Sequence, residues 1–152
     1  MYGLEKNSSY DSGMITDLAH TALRVHDLER SLAFYAQLDI HEAFRLNHDD
    51  GRLMLVYLHV GNDRFLELFP GGAKPEPREG SFMHLCLRVD DLHNDVERLR
   101  SKGVSIDRGP SMGLDRNWQA WITDPDGNAI ELMQLSEDSP QRQVARGEKP
   151  QI

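Results

Sequence analysis

The chain repeats itself with a shift of 64 positions, and the repeat retains more than apolar residues. The stretch HTALRVHDL that begins at His20 falls on HLCLRVDDL, which begins at His84. Likewise FLEL around Glu67 falls on AIEL around Glu131. A repeat kept for packing alone would not need two imidazoles and two carboxylates, which are the side chains that bind divalent metal ions. The sequence therefore predicts two related halves that share one metal site.

Length and composition limit the class of protein. A chain of 152 residues fits two half-size modules around one core. The formal net charge of −8 argues against a general nucleic-acid binder or a binder of anionic membranes. The single cysteine, Cys86, rules out an internal disulfide and suits a reducing compartment. Residues 1–13 are polar and no apolar run approaches the roughly 20 residues of a membrane span, so we expect a cytoplasmic protein.

Each half has the pattern of a strand, a helix and further strands. Residues 18–25 alternate between polar and apolar side chains, and Asp27 stands where it can cap a following helix. Asp91 holds the same place in the second half, where Gly103 marks the end of the helix. Further strands are predicted near residues 43–46, 53–59 and 64–69, and near 104–106, 118–123 and 129–134.

This pattern predicts an α+β fold in which two tandem βαβββ modules form a cupped mixed sheet around a metal site. The predicted units are an N-terminal extension (1–14), a first module (15–69), a linker (70–81), a second module (82–135) and a flexible C-terminal tail (136–152). The linker is rich in Gly, Pro and charge. The tail lacks periodic apolar residues, and it could fold over a partner subunit.

Strand parity puts the candidate ligands on one side of each sheet. Because successive side chains point to opposite faces, the apolar alternates form a face for the helices to cover and the polar alternates form the other. The polar faces carry His20, Arg24 and Glu67 in the first half, and His84, Cys86, Arg88 and Glu131 in the second. If the sheets curl towards each other, these residues line one cavity.

The four candidate ligands suit a borderline divalent ion such as Ni, Co, Mn, Zn or Fe(II). A tetrahedral Zn held by all four would be a closed site, and closed sites are usually structural. An octahedral ion would keep two positions for water or for two oxygens of a substrate. Such an ion is a Lewis acid able to stabilise an enediolate, beside a carboxylate that can move a proton.

The order His20, Glu67, His84, Glu131 on paired βαβββ modules resembles the vicinal oxygen chelate superfamily, and within it the metal-binding pattern of glyoxalase I (lactoylglutathione lyase). The stretches HTALRVHDLERSLAFY and DPDGNAIEL are similar to two well-known segments of those enzymes. The similarity covers residues 15–134. It implies a metal-dependent lyase, isomerase or epimerase. Four ligands favour this chemistry over the dioxygen activation of extradiol dioxygenases, which stays the lesser alternative.

The resemblance also implies roles for individual residues. Glu131 would be the principal base, which takes a proton from the carbon next to a carbonyl group. Glu67 would be a second ligand and the opposite proton carrier. Arg24 stands where glyoxalase I has an arginine that contacts the glutathione carboxylate, so the substrate is expected to be a small anion.

Other glutathione contacts of the family are missing from this chain. Gly71 stands where those enzymes have an asparagine. The loop before Trp118 has Asp115-Arg116-Asn117 in place of the expected lysine. Glutathione as a co-substrate is therefore in doubt, and methylglyoxal detoxification with it.

Several residues are candidates for substrate binding, with a structural role left open for each. Aromatic side chains on strands mostly pack in cores. The arginines could instead form structural ion pairs with Glu67 or Glu131. No metal role is assigned to the other histidines, although His59 could serve as an extra acid or base. The candidates are Arg24, Arg88, Phe65, Phe69, Trp118 and Trp121.

Function and assembly leave alternatives open. Relatives with this fold include proteins that bind and sequester a drug, and these have typically lost the ligand positions. Retention of all four positions favours an enzyme with a small-molecule substrate. We expect a homodimer, and the repeat is equally compatible with a site inside one chain and a site shared between two subunits.

Overall fold

The computed structural model describes residue 14, residues 17–76 and residues 80–151. The first half contains β1 (His20–Arg24), α1 (Leu28–Gln37), β2 (His41–Asn47), β3 (Leu53–Gly61) and β4 (Arg64–Phe69). The second contains β5 (Leu85–Arg88), α2 (Leu92–Ser101), β6 (Arg108–Met112), β7 (Trp118–Thr123) and β8 (Ala129–Gln134), followed by α3 (Pro140–Ala145). Within the described ranges, no helix has the length and apolar character needed to cross a membrane.

The strands form two four-stranded mixed sheets, one in each half. Their orders, β1-β4-β3-β2 and β5-β8-β7-β6, put corresponding strands at corresponding positions. The outer strand β1 runs parallel to β4, and β5 runs parallel to β8, whereas the other neighbours are antiparallel. The predicted fold of two tandem βαβββ modules is confirmed.

The first two helices begin at the aspartates that the sequence indicates. Asp27 accepts a hydrogen bond from the backbone N–H of Arg30 at 3.1 Å, and Asp91 accepts one from that of Asn94 at 3.2 Å. Each cap satisfies an N–H group that the first turn leaves unpaired, which stabilises a helix by about 1 kcal/mol. After α2, Gly103 adopts a φ of +84°, a left-handed conformation that glycine takes without strain. These predicted helix boundaries are confirmed.

The buried apolar side chains of both modules form one hydrophobic cluster. Tyr35 on α1 and Leu68 on β4 belong to it, together with Val96 on α2 and Ile130 on β8. Since side chains alternate along a strand, the other face of each sheet lies away from this shared core. The polar faces of the two sheets are therefore on the outer side of the molecule.

Hydrogen bonds from the turn between β7 and β8 tie the second module to the first. The buried Tyr35 donates its hydroxyl to Asp124 at 2.8 Å. Asp126 accepts from the backbone N–H of His26 at 2.8 Å and from the Ser31 hydroxyl at 3.2 Å. The sequence predicts this turn only as a connection between two strands, whereas the structure gives it a second task in fixing α1 against the second module.

The prediction of a strand at residues 104–106 is wrong in its position. The corresponding strand, β6, begins at Arg108. Val104 is buried in the core, and pairing with β7 begins where the N–H of Asp107 donates to Trp121. The apolar residues at 104 and 106 therefore mark a segment that packs on the core before the strand starts.

The segment 136–152, predicted as a flexible tail without secondary structure, contains α3. Ser139 caps this helix by accepting the N–H of Arg142 at 3.3 Å. The fully buried Asn117 accepts the N–H of Ser136 at 2.9 Å and donates to Gln141 at 3.0 Å. A six-residue helix held by polar contacts has no apolar period for sequence reasoning to detect. The predicted N-terminal extension, apart from residue 14, lies outside the described residues.

We expect Tyr35→Phe to lower the free energy of unfolding by about 1.5–3 kcal/mol, because the buried Asp124 loses a hydrogen bond to a charged group. Urea denaturation measures this value. The exposed Asp50→Asn serves as the control and should leave the free energy of unfolding nearly unchanged. A Tyr35→Phe variant as stable as the wild type would show that this hydrogen bond does not stabilise the association of the modules.

Candidate metal centre

The first His–Glu pair lies on the polar face of the first sheet. Strands β1 and β4 align His20 with Phe65 and Ala22 with Glu67, so the histidine and the glutamate are diagonal neighbours. Nδ1 of His20 is 3.5 Å from Oε1 of Glu67. Glu67 is only 6% exposed, whereas His20 is open to solvent.

The second pair occupies the equivalent position in the second sheet. Strands β5 and β8 align Cys86 with Glu131, and His84 precedes β5 by one residue. Nε2 of His84 is 3.2 Å from Oε2 of Glu131. Glu131 is also 6% exposed, so both carboxylates are shielded from water at the base of their sheet faces.

The spacing of each pair fits two neighbouring positions around one divalent ion. Two donors about 2.1 Å from an ion, at about 90–109° to each other, lie roughly 3.0–3.4 Å apart. The observed distance of 3.2 Å in the second pair lies within this range, and that of 3.5 Å in the first pair lies just above it. Imidazole nitrogen and carboxylate oxygen are also the donors that borderline divalent ions accept. Each module therefore supplies a chemically suitable half of a four-ligand set.

The two pairs do not converge within one chain. In the described part of the protein, no three His, Cys, Asp or Glu side chains form a group that could hold a metal ion. The sheets are separate, and β1 and β5 are outer strands that do not pair with each other. A cleft of about 410 Å³ is lined by His20 of β1 together with Cys86 and Arg88 of β5. The single cavity with four ligands that parity suggests is thus not formed by the chain alone.

Aromatic rings surround Glu67. Tyr57 is its direct cross-strand partner on β3. The proximity of the Glu67 carboxylate, together with burial, raises the pKa of the Tyr57 phenol above its usual value. The Tyr57 ring stacks on Phe44 at 4.4 Å and meets the edge of Phe65 at 5.8 Å. The first pair is therefore bordered by an apolar surface with one phenol donor.

Glu131 has different neighbours. Its cross-strand partner on β7 is Trp121, whose ring lies 4.7 Å from that of His84. The guanidinium of Arg108 lies over the Trp121 ring at 4.7 Å. Burial, followed by the Glu131 charge, raises the pKa of the Cys86 thiol to about 12, so the thiol is protonated at neutral pH. The second pair is bordered by a cation and a neutral thiol.

The predicted substrate residues divide between the two faces. Trp118 packs against the hydrophobic core and His93, so the structure does not bring it to the His–Glu pairs. Arg24 donates weakly to the carbonyl of Pro70 at 3.4 Å and lies 5.7 Å from the Phe69 ring. The remaining candidates on the polar faces are Arg88, Phe65 and Trp121.

The structural ion pairs left open as an alternative for Arg24 and Arg88 are not formed with Glu67 or Glu131. Within the described ranges, neither Arg24 nor Arg88 makes an ion pair with Glu67, Glu131 or another acidic residue. His59, considered as an extra acid or base, instead directs its Nε2 to the carbonyl oxygen of Asn62 at 2.8 Å.

Residues 17–132 match the family model described as the Glyoxalase/Bleomycin resistance protein/Dioxygenase superfamily. The chain belongs to this superfamily. A probable lactoylglutathione lyase from Synechocystis sp. is 31% identical over 125 residues, which cover 78% of this chain and 95% of that protein. The lactoylglutathione lyase of Neisseria meningitidis is 33% identical over 124 residues, covering 77% and 89%.

Solved structures of the superfamily include a protein with a different role. TnmS3, an antibiotic binding protein from a Streptomyces species, superposes with a TM-score of 0.65 at 31% identity. The alignment covers 82% of this chain and 99% of TnmS3. The chain is thus similarly related to lyases and to a binding protein. The residues of the site, and not the overall similarity, have to decide between these functions.

Sequence reasoning did not identify Tyr57 and Arg108 as site residues. The signal was present in the repeat, because a shift of 64 positions takes Tyr57 to Trp121 and Phe44 to Arg108. The residue types at these equivalent positions differ between the two halves, so the repeat of residue types does not indicate them. The strand register shows that each side chain lies in the cross-strand row of a candidate metal ligand.

We expect Trp118→Ala to lower the free energy of unfolding by about 2–4 kcal/mol, because it leaves a cavity beside the core. Trp121→Ala should lower the free energy of unfolding by less, since the Trp121 ring lies on the outer face. Urea denaturation of both variants gives the comparison. A larger loss for Trp121→Ala would contradict this assignment of faces.

Proposed function

We propose that this protein is a metal-dependent enzyme of the lactoylglutathione lyase type, which moves a proton at the carbon next to a carbonyl of a small anionic substrate. The observation that carries the proposal is the presence of two equivalent His–Glu pairs, each with the spacing of two ligands of one ion. Relatives named lactoylglutathione lyase, 31% and 33% identical, support the same class of reaction.

Two copies of the chain would complete the centre. His20 and Glu67 would come from one protomer, and His84 and Glu131 from the other. Among the described residues, the outer strands β1 and β5 have a strand partner on one side only, which makes their other edges available to another chain. The polar face of the first sheet also exposes Phe44 and Leu46, apolar surface that a second copy could cover. A homodimer with two composite sites would complete the four-ligand set and would also cover the open strand edges and the exposed apolar surface.

The carboxylates would divide the work of proton transfer. A divalent ion held by the four side chains would supply a Lewis acid that polarises the substrate carbonyl. Glu131 would take the proton from the adjacent carbon, and Glu67 would hold or return a proton on the opposite side. Their low exposure limits competition from water for the hydrogen bonds that direct these transfers.

Three cations would select an anionic substrate. Arg24 and Arg88 have no acidic partner in the described part of the chain, and Arg108 is held over Trp121. A guanidinium without a protein carboxylate is suited to bind a substrate carboxylate or phosphate through two parallel hydrogen bonds. We therefore expect the substrate to carry such a group close to the reacting carbonyl.

The loop before β7 supports a substrate without a peptide portion. Asp115 accepts hydrogen bonds from Asn117 at 2.8 Å and from Gln141 at 2.7 Å. Arg116 donates to the backbone carbonyl of Gln151. These residues, which replace the lysine of glutathione-dependent relatives, are engaged with the C-terminal segment. The proposed substrate is accordingly a small keto or hydroxy acid, and not a glutathione adduct.

A small-molecule binding protein is the second candidate function. It is favoured by the similarity to an antibiotic binding protein and by the exposed ring stack of Phe44 on Tyr57. Such a protein would not need the His–Glu pairs. Metal content distinguishes the two functions, because a binding protein would be purified without stoichiometric metal and an enzyme of the proposed type would contain it.

We expect His20→Ala and His84→Ala each to reduce bound metal to a small fraction of the wild-type content, because each removes one of four ligands. Elemental analysis of freshly purified protein measures this content. His48→Ala, which changes an exposed histidine away from both pairs, is the matched control and should retain the metal. Full metal content in both variants would show that His20 and His84 are not metal ligands.

Co-expression of the two ligand variants tests how the site is built. In a mixed dimer, one composite site lacks both histidines and the other has both, so the isolated mixed dimer should bind about half as much metal as the wild type. Sites built within one chain would show no restoration. The readout is metal bound per protomer in the mixed dimer, isolated through two different affinity tags.

We expect Glu131→Gln to keep the fold and to lower turnover by about two orders of magnitude or more, as for loss of a general base. Deuterium incorporation next to the carbonyl, followed by NMR over a panel of 2-keto and 2-hydroxy acids and of methylglyoxal with glutathione, measures the reaction. Glu137→Gln, at a side chain that is 82% exposed, is the control. Unchanged turnover in Glu131→Gln would remove this residue from the mechanism.

A further inference from the structure

Arg108 lies in the same cross-strand row as Glu131, two strands away from it. The register pairs Arg108 on β6 with Trp121 on β7, and Trp121 with Glu131 on β8. Directly opposed residues point to the same face of a sheet, so all three side chains lie on the polar face. Neighbouring strands are about 4.8 Å apart, which puts the Cα of Arg108 roughly 10 Å from that of Glu131. The row therefore carries a cation two strands from a proposed metal ligand.

The ring of Trp121 bridges this distance. The guanidinium carbon of Arg108 lies over the Trp121 ring, 4.7 Å from its centre. The His84 ring meets the same ring at an angle of 74°, also with a separation of 4.7 Å. The indole N–H donates to Oε1 of Gln119 at 3.0 Å. These contacts restrain the ring, and the ring in turn holds the guanidinium at a fixed distance from the second His–Glu pair.

The stacked guanidinium keeps its hydrogen-bond donors available. Stacking uses the flat face of the group, whereas its N–H donors point outward in its plane. Among the described residues, no side chain forms a hydrogen bond or an ion pair with the Arg108 guanidinium. The neighbouring carboxylate of Asp107 instead accepts the hydroxyl of Thr123 at 2.7 Å. A cation that is held in place without a counter-ion is suited to an anion from outside the chain.

The first module has a phenyl ring at the equivalent place. Phe44, which is 64 positions before Arg108, stacks on the Tyr57 ring at 4.4 Å. The repeat therefore keeps a flat group over an aromatic ring in both modules and makes that group cationic in one of them. This difference changes what each half can bind, while the stacked arrangement stays the same.

We propose that Arg108 is a specificity-determining residue, which binds a second anionic group of the substrate, a carboxylate or phosphate about three bonds from the reacting carbonyl. The proposal rests on the proposed function, in which the reacting end of the substrate lies at the His–Glu pairs. The two separations of 4.7 Å through Trp121 set the upper limit of the distance between the guanidinium and His84. Contacts of about 3 Å at each end of the substrate take up most of that distance, and the remainder fits a short carbon chain.

Probes that differ only in the terminal group test this role. 2-Oxopentanedioate carries a second carboxylate at the stated distance, and 2-oxopentanoate has a methyl group in its place. Isothermal titration calorimetry gives the affinity of the Co(II)-loaded protein for each. We expect the wild type to bind the diacid about tenfold or more tightly than the monoacid, as for hydrogen bonds between charged groups. 2-Oxo-4-phosphonobutanoate is the third probe, and its affinity relative to the diacid distinguishes a phosphate-like group from a carboxylate.

Arg108→Phe and Arg108→Gln remove the charge in two ways. Arg108→Phe keeps a flat group over Trp121, and Arg108→Gln keeps a hydrogen-bond donor. Both should bind the monoacid about as the wild type does and lose most of the preference for the diacid. Arg52→Gln is the matched control, because it removes an equal charge at an exposed arginine paired with Asp50. It should retain the preference.

A wild-type protein that binds Co(II) but shows no preference for either doubly anionic probe, or binds none of the probes, would overturn the role of Arg108 alone. A preference that survives in both Arg108 variants, or that is also lost in Arg52→Gln, would overturn it as well. An equal loss for the monoacid and the diacid would show that Arg108 supports the structure of the site and does not select charge. A wild-type protein that binds no Co(II) would overturn the proposed function together with this inference.

Discussion

Burial of one face of each four-stranded sheet in a shared core is the constraint on which the other features of this protein depend. The core needs apolar side chains at every second strand position, such as Leu66 and Leu68 on β4, so the intervening positions face outward. Glu67 lies between these two leucines and therefore points away from the core. Its low exposure results from the side chains that surround it on the outer face, chiefly the rings of β3 and β4.

The register between strands then decides which outward side chains meet. Parallel pairing of β1 with β4 brings His20 beside Glu67, and pairing of β5 with β8 brings His84 beside Glu131. The modules join through their cores and through Tyr35, so the two faces with His–Glu pairs do not close on each other. In the proposed homodimer, the half-sites of two copies would become complete, and this would link folding, assembly and metal binding.

The two modules have the same scaffold, but the side chains around their His–Glu pairs differ. In the proposed enzyme, one of the two carboxylates would serve as the base. The differences between the halves lie at positions such as Tyr57 and Trp121, where side chains border the ligands without being ligands. A cation lies over Trp121 in one half, whereas stacked rings surround Tyr57 in the other, so the two His–Glu pairs have different borders.

Much of this protein can be predicted from the sequence because the relevant signals are local or repeated. The aspartate caps, the glycine after α2 and the βαβββ order follow from short-range rules, and the repeat identifies both His–Glu pairs. The late start of β6 and the presence of α3 could not be predicted, because Val104 packs without pairing and α3 is held by Asn117, which is distant in sequence. The sequence by itself determined which residues share a sheet face, since alternation along a strand is a property of the backbone. Only the tertiary structure decided that the two His–Glu pairs do not meet within the described part of one chain, and that Tyr57 faces Glu67 across the sheet whereas Trp121 faces Glu131. Those outcomes depend on the packing of modules and the register between strands, and no periodicity of the chain encodes them.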